Sequence, residues 1–212
     1  YQLAIEMGIQ ADPRGKKGVA KSLTRRKKQF DKLPKDQQKY FDRESLKNPY
    51  SDTRILHGNP QTSVKKILVG IDIETPELLL ANELNQKGQK IDLVLAHHPT
   101  GIALAGLHEV IEIQTEMYAS YGVPINIAEA LLNKKIKEIE RGISPINHHQ
   151  PTDTAHLLNI SLMTCHTPTD NQVYHYLTKN ICQKKLDTLD DVVTELMKIP
   201  EYQKAAKLKS GP

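Results

Sequence analysis

The feature that most constrains the fold is a short apolar run that ends at two adjacent histidines. Residues 91–96 have the length and composition of a strand buried on both faces, and His97, His98 and Pro99 follow directly. Pro99 keeps His98 out of helical geometry, and neighbouring side chains on an extended segment point to opposite sides. Since neutral imidazole is the commonest protein ligand of first-row metals, the run predicts a strand that delivers two metal ligands. The alternative is a turn whose histidines bond only backbone carbonyls.

Two other runs also end at a polar residue. Residues 67–71 form a β-branched run before Asp72, and residues 160–165 form an apolar run before His166. Helical patterns separate the three runs, and such alternation is typical of an α/β fold. We expect a mainly parallel or mixed sheet flanked by helices. Because the carboxyl ends of parallel strands meet at one edge, the polar residues after the three runs are expected to lie together.

The helical segments have recognisable boundaries. Thr75 fits an N-cap with Pro76 at the first helical position, and Gly88 fits the residue after the helix. Further helices are predicted at residues 107–121, 128–139, 170–180 and 186–199. Residues 46–60 are rich in turn signals and are predicted to be a loop.

His166 and Asp170 lie four residues apart, with Pro168 between them as an early helical position. If a helix begins there, both side chains face one crevice, and Asp170 either joins a metal site or only caps the helix. Imidazoles with a carboxylate suit zinc, iron or manganese better than calcium or magnesium, and a carboxylate can bridge two ions. Paired metals activate water and polarise the group that it attacks.

Three elements together resemble the Nif-three-like family, also described as type-two GTP cyclohydrolase-like. They are Asp72 after a buried strand, Leu95-Ala96-His97-His98-Pro99, and His166-Thr167-Pro168-Thr169-Asp170. The resemblance covers residues 67–180 and implies two divalent metal ions, zinc, iron or manganese, in an α/β fold. It implies that His97, His98 and Asp170 are metal ligands and that His166 is a catalytic residue available for proton transfer. It also implies a homo-oligomer, commonly a ring-shaped hexamer.

The chain departs from this family pattern in two places. The family completes its site with another histidine and an acidic residue near its C-terminus, whereas here no histidine follows His175. We therefore expect the chain to be a fragment that lacks the family's C-terminal segment. The connection between the two histidine motifs is also longer, and it contains His148 and His149. Those histidines either support the metal ligands or have a structural role.

The first 60 residues differ from the rest of the chain. Residues 14–28 carry eight basic side chains and no acidic one, within a net charge of +4. We predict two regions, a basic and mostly helical N-terminal extension at 1–60 and a Nif-three-like α/β domain at 61–212. The basic run is either a phosphate-contacting arm or a solvated helix face. We favour the solvated face over a nucleic acid partner, because interleaved aromatic residues and nucleic-acid-binding signatures are missing nearby.

The apolar runs and the cysteines indicate the cellular compartment. The longest aliphatic run is too short to span a bilayer, and no secretory leader is visible. Cys165 and Cys182 form neither a CxxC motif nor a disulfide framework, which is typical of a reducing compartment. We expect a cytoplasmic protein without a membrane partner, in which Cys165 is a small core residue rather than a nucleophile.

Three functions are compatible with these features. The first is a metal-dependent, cyclohydrolase-like hydrolase acting on a nucleotide or another phosphorylated heterocycle, with His166 moving a proton. A nucleotide would bind without a phosphate-binding loop, because residues 15–18 lack the required spacing and no GxGxxG follows the first strand. The second is a non-catalytic metal-handling or chaperone protein. The third is a nucleic-acid-associated regulatory module that works through the basic segment at 14–28.

Overall fold

The computed structural model describes residues 1–209, apart from the side chain of Glu112. The strands are β1 (Ile55–His57), β2 (Ile67–Gly70), β3 (Leu93–Ala96) and β4 (Leu162–Thr164). The helices are α1 (Gln2–Ala11), α2 (Gly15–Lys32), α3 (Lys35–Gln38), α4 (Thr75–Gln86), α5 (Gly101–Ala105), α6 (Leu107–Val110), α7 (Glu112–Ser120), α8 (Ile125–Ile143), α9 (Gln150–Leu158), α10 (Thr167–Leu177), α11 (Leu189–Leu196) and α12 (Pro200–Lys207). A 3₁₀ turn spans Arg43–Leu46, and a π-helical turn spans Thr178–Cys182.

The four strands form one mixed sheet in the order β1-β4-β3-β2. Strands β2, β3 and β4 are parallel, with Val94 of β3 opposite both Leu68 and Leu162, while β1 runs antiparallel to β4. The α/β fold with a mixed, helix-flanked sheet that we predicted is thereby confirmed.

The main core lies between this sheet and helices α4 and α9. Its buried members are aliphatic or small: Ile73, Leu78, Ala81, Val94, Ala96, Ala155, Ile160 and Leu162. Burying a side chain such as Leu78 or Leu162 contributes about 1.5–3 kcal/mol to the stability of the folded state. Packing on this face of the sheet therefore keeps β3 and β4 in register. That register in turn fixes where the residues after the two strands are placed.

Several local predictions need correction. Thr75 is the first residue of α4, and Glu74 is the N-cap, because Glu74 and Glu77 form a reciprocal capping box with each other's backbone amides. The strand before His97 is not buried on both faces, since its residues alternate between half-buried and buried. Residues 46–60 are not all loop, because β1 lies within them. β1 was not predicted from the sequence, because it has only three residues and lies between turn-forming segments.

The N-terminal segment packs around a second cluster. Ile5 of α1, Tyr50 and Ile113 are buried together, with Val110 and Met117 packed against them. The Tyr50 hydroxyl donates to Asp12 at 2.8 Å, and Asn171 donates to the backbone carbonyl of Gly8 at 3.1 Å. Helix α1 is therefore tied to residues far along the chain.

Contacts divide the chain into two compact units, Tyr1–Asn171 and Gln172–Pro212. All four strands and the histidine motifs lie in the first unit. In the second, Thr188 and Asp191 form a capping box at the start of α11, and Glu195 pairs with Lys184 and Lys198. The boundary at residue 60 stays a prediction. Among residues 1–209, no helix combines the length and apolar character needed to cross a membrane.

Candidate metal centre

The two adjacent histidines sit where β3 ends, in a backbone that stays paired to its neighbour. The amides of His97 and His98 donate to the carbonyls of Gly70 and Ile71 at 2.9 and 2.8 Å. On the other side of β3, the Cys165 amide donates to the Ala96 carbonyl at 2.9 Å, which places His166 beside His97. The expected meeting of strand ends is therefore observed.

Three imidazoles come together at this edge. The ring centroid of His97 lies 4.9 Å from that of His166 and 5.1 Å from that of His98. One ligand atom from each of His97, His98 and His166 lies within 4.8 Å of the others, so this group could hold a metal ion. Among the described residues, no other group of at least three histidine, cysteine or acidic side chains has its ligand atoms this close together.

Asp170 lies beside the same group. Its Oδ1 is 3.6 Å from His97 Nε2, and its Oδ2 is 3.7 Å from His166 Nε2. Each carboxylate oxygen thus faces a different imidazole. Asp170 is in the first turn of α10, which the sequence placed a few residues later, and the helix start directs it toward the histidines. Nitrogen donors with one carboxylate fit zinc, iron or manganese, so the residues present suit the metals that the sequence predicted.

Asp52 is a hydrogen-bond partner of His166. The Asp52 side chain is fully buried, and its Oδ2 accepts a hydrogen bond from His166 Nδ1 at 2.9 Å. This hydrogen bond raises the pKa of His166 above its ordinary value, although burial of the ring opposes the shift. Asp52 could not be recognised as a site residue from the sequence, because its partner lies 114 residues away and Asp52 stands in a turn-rich stretch.

His98 has a carboxylate partner of its own. Its Nδ1 lies 2.7 Å from Asp72 Oδ1, at the point where β2 has ended. This pair is open to solvent, since the side chains of His98 and Asp72 are 50% and 72% exposed. Asp72 therefore joins the site through His98, as expected for a residue at the neighbouring strand end.

A cavity of about 350 Å³ opens beside the histidines. His98, His166 and Asp72 line one part of it, and Leu104 and Leu107 contribute an apolar wall. Polar groups that converge against an apolar wall are the usual features of a small-molecule site.

The rings of His148 and His149 contact each other in a tilted arrangement, with centroids 4.3 Å apart and an angle of 47° between the ring planes. His148 Nδ1 lies 3.0 Å from the Ile146 carbonyl, and the His148 carbonyl accepts from the Gly101 amide at 2.8 Å. Neither belongs to the three-histidine group. His148 instead ties its loop to the start of α5, just beyond the metal motif.

Cys165 precedes His166 but is poorly suited to nucleophilic chemistry. Burial raises the pKa of its thiol, so the protonated form dominates at neutral pH. The Thr169 hydroxyl lies 3.4 Å from Sγ. Cys165 is half-buried and does not belong to the buried core cluster, so the prediction of a core residue needs correction.

No model of a known protein family matches the chain, and no curated protein matches it. A solved structure does: a NIF3 superfamily protein from Sphaerobacter thermophilus, at 28% sequence identity and a TM-score of 0.66. The match covers 74% of this chain and 56% of that protein, so the chain spans a little over half of its length. Together with the three-histidine group at the strand ends, this similarity confirms the predicted resemblance and supports assigning the chain to the Nif-three-like family.

Proposed function

We propose that the chain is a divalent-metal-binding protein of the Nif-three-like type, with a hydrolytic activity at the metal centre. The observation that carries the proposal is the convergence of His97, His98 and His166 at the ends of β3 and β4, with Asp170 against two of them. Bringing ligands from two strands and a helix into one place requires the whole sheet to fold. This convergence supports a metal site, because histidine and carboxylate side chains are the ligands that such sites use.

Metal ligands in this proposal are His97, His98 and Asp170, and the three-histidine geometry makes His166 a candidate further ligand. A divalent cation bound there would supply Lewis-acid activation of water and of the group to be cleaved. The family resemblance implies two ions. Asp170 supports that number, because its two oxygens face different imidazoles.

The catalytic role predicted for His166 is proton transfer at Nε2. With Nδ1 donating to Asp52, the neutral ring carries its free lone pair on Nε2, which faces Asp170. Such a nitrogen either binds a metal or accepts a proton, and the two roles differ in their consequences. His166→Ala loses bound metal if the ring is a ligand, whereas it keeps metal and loses turnover if the ring only transfers a proton.

The proposed substrate is a nucleotide or another phosphorylated heterocycle. The cavity beside His98 and His166 supports a small substrate, because about 350 Å³ lies within the usual range for ligand pockets. Leu104 and Leu107 offer a surface on which a ring can pack.

The first test is ligand removal. His97→Ala and Asp170→Ala are expected to lose bound metal and turnover, measured by zinc titration and by a hydrolase screen with nucleotides and phosphorylated heterocycles. The matched control is His175→Ala, because His175 is exposed and outside the three-histidine group. Unchanged metal affinity in both site variants would remove the proposed centre.

A second candidate function is metal handling without turnover. The observation in its favour is exposure: the side chains of His98 and Asp170 are 50% and 55% exposed, which allows exchange with competing ligands. This function predicts rapid transfer of zinc to a chelator or an apo-enzyme, with no substrate consumed in the same screen. Turnover that depends on the site residues would decide for the hydrolase.

A further inference from the structure

We propose that Asp52 is a positioning residue that sets the tautomer and orientation of His166 and so presents its Nε2 to the metal centre. This inference rests on the proposed metal site and adds the residue that organises it. It also means that the N-terminal 60 residues contribute to the centre.

Asp52 is fully buried, and hydrogen-bond donors surround its carboxylate. Oδ2 accepts from His166 Nδ1 at 2.9 Å, from the Thr167 amide at 3.2 Å and from the Thr167 hydroxyl at 2.5 Å. Oδ1 accepts from the Thr53 hydroxyl at 3.2 Å. A carboxylate held by this many donors has one position, and the imidazole bonded to it is held equally firmly.

The backbone around Asp52 is joined to the same strand end as His166. Arg54 and Thr164 exchange backbone hydrogen bonds of 3.2 and 2.9 Å, and the Thr164 hydroxyl donates to the Asp52 carbonyl at 3.0 Å. Two residues after Thr164, the His166 amide donates to the Thr53 hydroxyl at 3.1 Å. Asp52 therefore reaches His166 through a continuation of the β1–β4 pairing.

The consequence for His166 follows from the acceptor chemistry. An ionised carboxylate only accepts, so the hydrogen bond requires a proton on His166 Nδ1. The neutral ring then has its lone pair on Nε2, the nitrogen that lies 3.7 Å from Asp170 Oδ2. A carboxylate partner of this kind fixes the orientation of a ligating histidine and increases its basicity.

Asp72 has the corresponding contact to His98, but its environment differs. That pair is half or more exposed, so water competes for both groups and the orientation is held less firmly. Asp52 is excluded from water, and for this reason we assign the dominant positioning role to Asp52.

The experiment compares three variants with the unaltered chain. Asp52→Ala removes the acceptor. Asp52→Asn keeps an acceptor oxygen but removes the charge. Asp42→Asn is the matched control, because Asp42 lies in the same N-terminal segment and its carboxylate contacts Arg54 rather than a histidine. Two quantities are measured: the protonated ring nitrogen of His166, by ¹⁵N NMR of the metal-free protein where the ring is neutral, and the Kd for zinc.

We expect the His166 proton on Nδ1 in the unaltered chain, in Asp52→Asn and in Asp42→Asn. In Asp52→Ala the proton moves toward Nε2, and the Kd for zinc rises by about 10- to 100-fold. Asp52→Asn shows a smaller rise, and Asp42→Asn shows none even if it melts at a lower temperature. A merely structural role for Asp52 would lower the melting temperature without moving the proton.

Two outcomes would overturn the inference. One is a His166 ring proton on Nε2 in the unaltered metal-free chain. This measurement needs no variant, so the misfolding of a variant cannot affect it. The other is a folded Asp52→Ala protein with unaltered zinc affinity. If the unaltered chain binds no zinc but has its proton on Nδ1, the metal-site proposal fails while the positioning of His166 stands.

Discussion

At the level of single residues, the candidate centre depends on which nitrogen of each imidazole carries a proton. Buried Asp52 and exposed Asp72 each occupy an Nδ1 atom, of His166 and His98 respectively. Both rings are thereby left with Nε2 as the available donor atom for a metal. The chain achieves this with carboxylates from different segments, which single-sequence patterns cannot pair.

Asp42 gives a prediction about pH and stability. Burial alone would raise the pKa of Asp42, but the hydrogen bond and positive charge of Arg54 outweigh it, and the pKa falls below its ordinary value of about 4. A lowered pKa in the folded state stabilises the protein above that value, and the contribution is lost as the pH falls through the folded pKa. Asp42→Asn should therefore lower the free energy of unfolding at pH 7 by about 1–3 kcal/mol, since Arg54 is nearly buried.

The measurement is urea unfolding of the unaltered chain and of Asp42→Asn at pH 7 and at a pH near 3. The difference in free energy should shrink at the lower pH, because Asp42 of the unfolded chain then takes up a proton, and the contribution of the charge is lost as the pH falls through the lowered folded pKa. An equal difference at both pH values would show that the Asp42–Arg54 ion pair is not its source.

At the level of elements, the turn between β3 and α5 contains the His-His-Pro motif and leads directly to the start of a helix. Gly101 begins α5 with a φ of +58°, and an added Cβ would lie 2.5 Å from the Thr152 side chain of α9. Its amide also bonds the His148 carbonyl. Close approach of two elements and a left-handed backbone together require glycine at this position.

Gly101→Ala should therefore destabilise the chain by more than about 1 kcal/mol and should weaken zinc binding, because the turn after His98 must move. The control is Gly88→Ala, whose φ is also positive at +84° but whose Cβ would meet no atom within 4 Å. Thermal melting and zinc titration of both variants check this. Equal effects of the two substitutions would mean that contact with α9 does not position the motif.

The elements show what sequence reasoning could reach. Residues 67–71, 91–96 and 160–165 were predictable as strands because each is an apolar run of strand length with turn signals around it. The meeting of His97, His98, His166 and Asp170 followed from the rule that parallel strands end at one edge. β1 and Asp52 could not be found in this way, since both depend on pairing with β4 across more than a hundred residues.

At the level of the whole molecule, the chain combines an α/β unit that contains the candidate centre with the separate C-terminal unit Gln172–Pro212. Its similarity to the NIF3 superfamily protein extends over 56% of that protein. The activity, substrate, number of metal ions and homo-oligomeric assembly that the resemblance implies stay predictions for this chain. So does the role of the basic helix α2, whose exposed lysines fit a solvated face.

The central claim is that the three-histidine group binds metal, and its most direct test is elemental analysis of the chain purified without a metal affinity column. We expect first-row metal to be bound, before or after reconstitution, with two ions as the predicted count for a site whose ligand set is complete. A count near one would keep the metal centre and remove its dinuclear character. No bound metal after reconstitution would rule out the metal centre and would leave His97 and His98 as structural histidines.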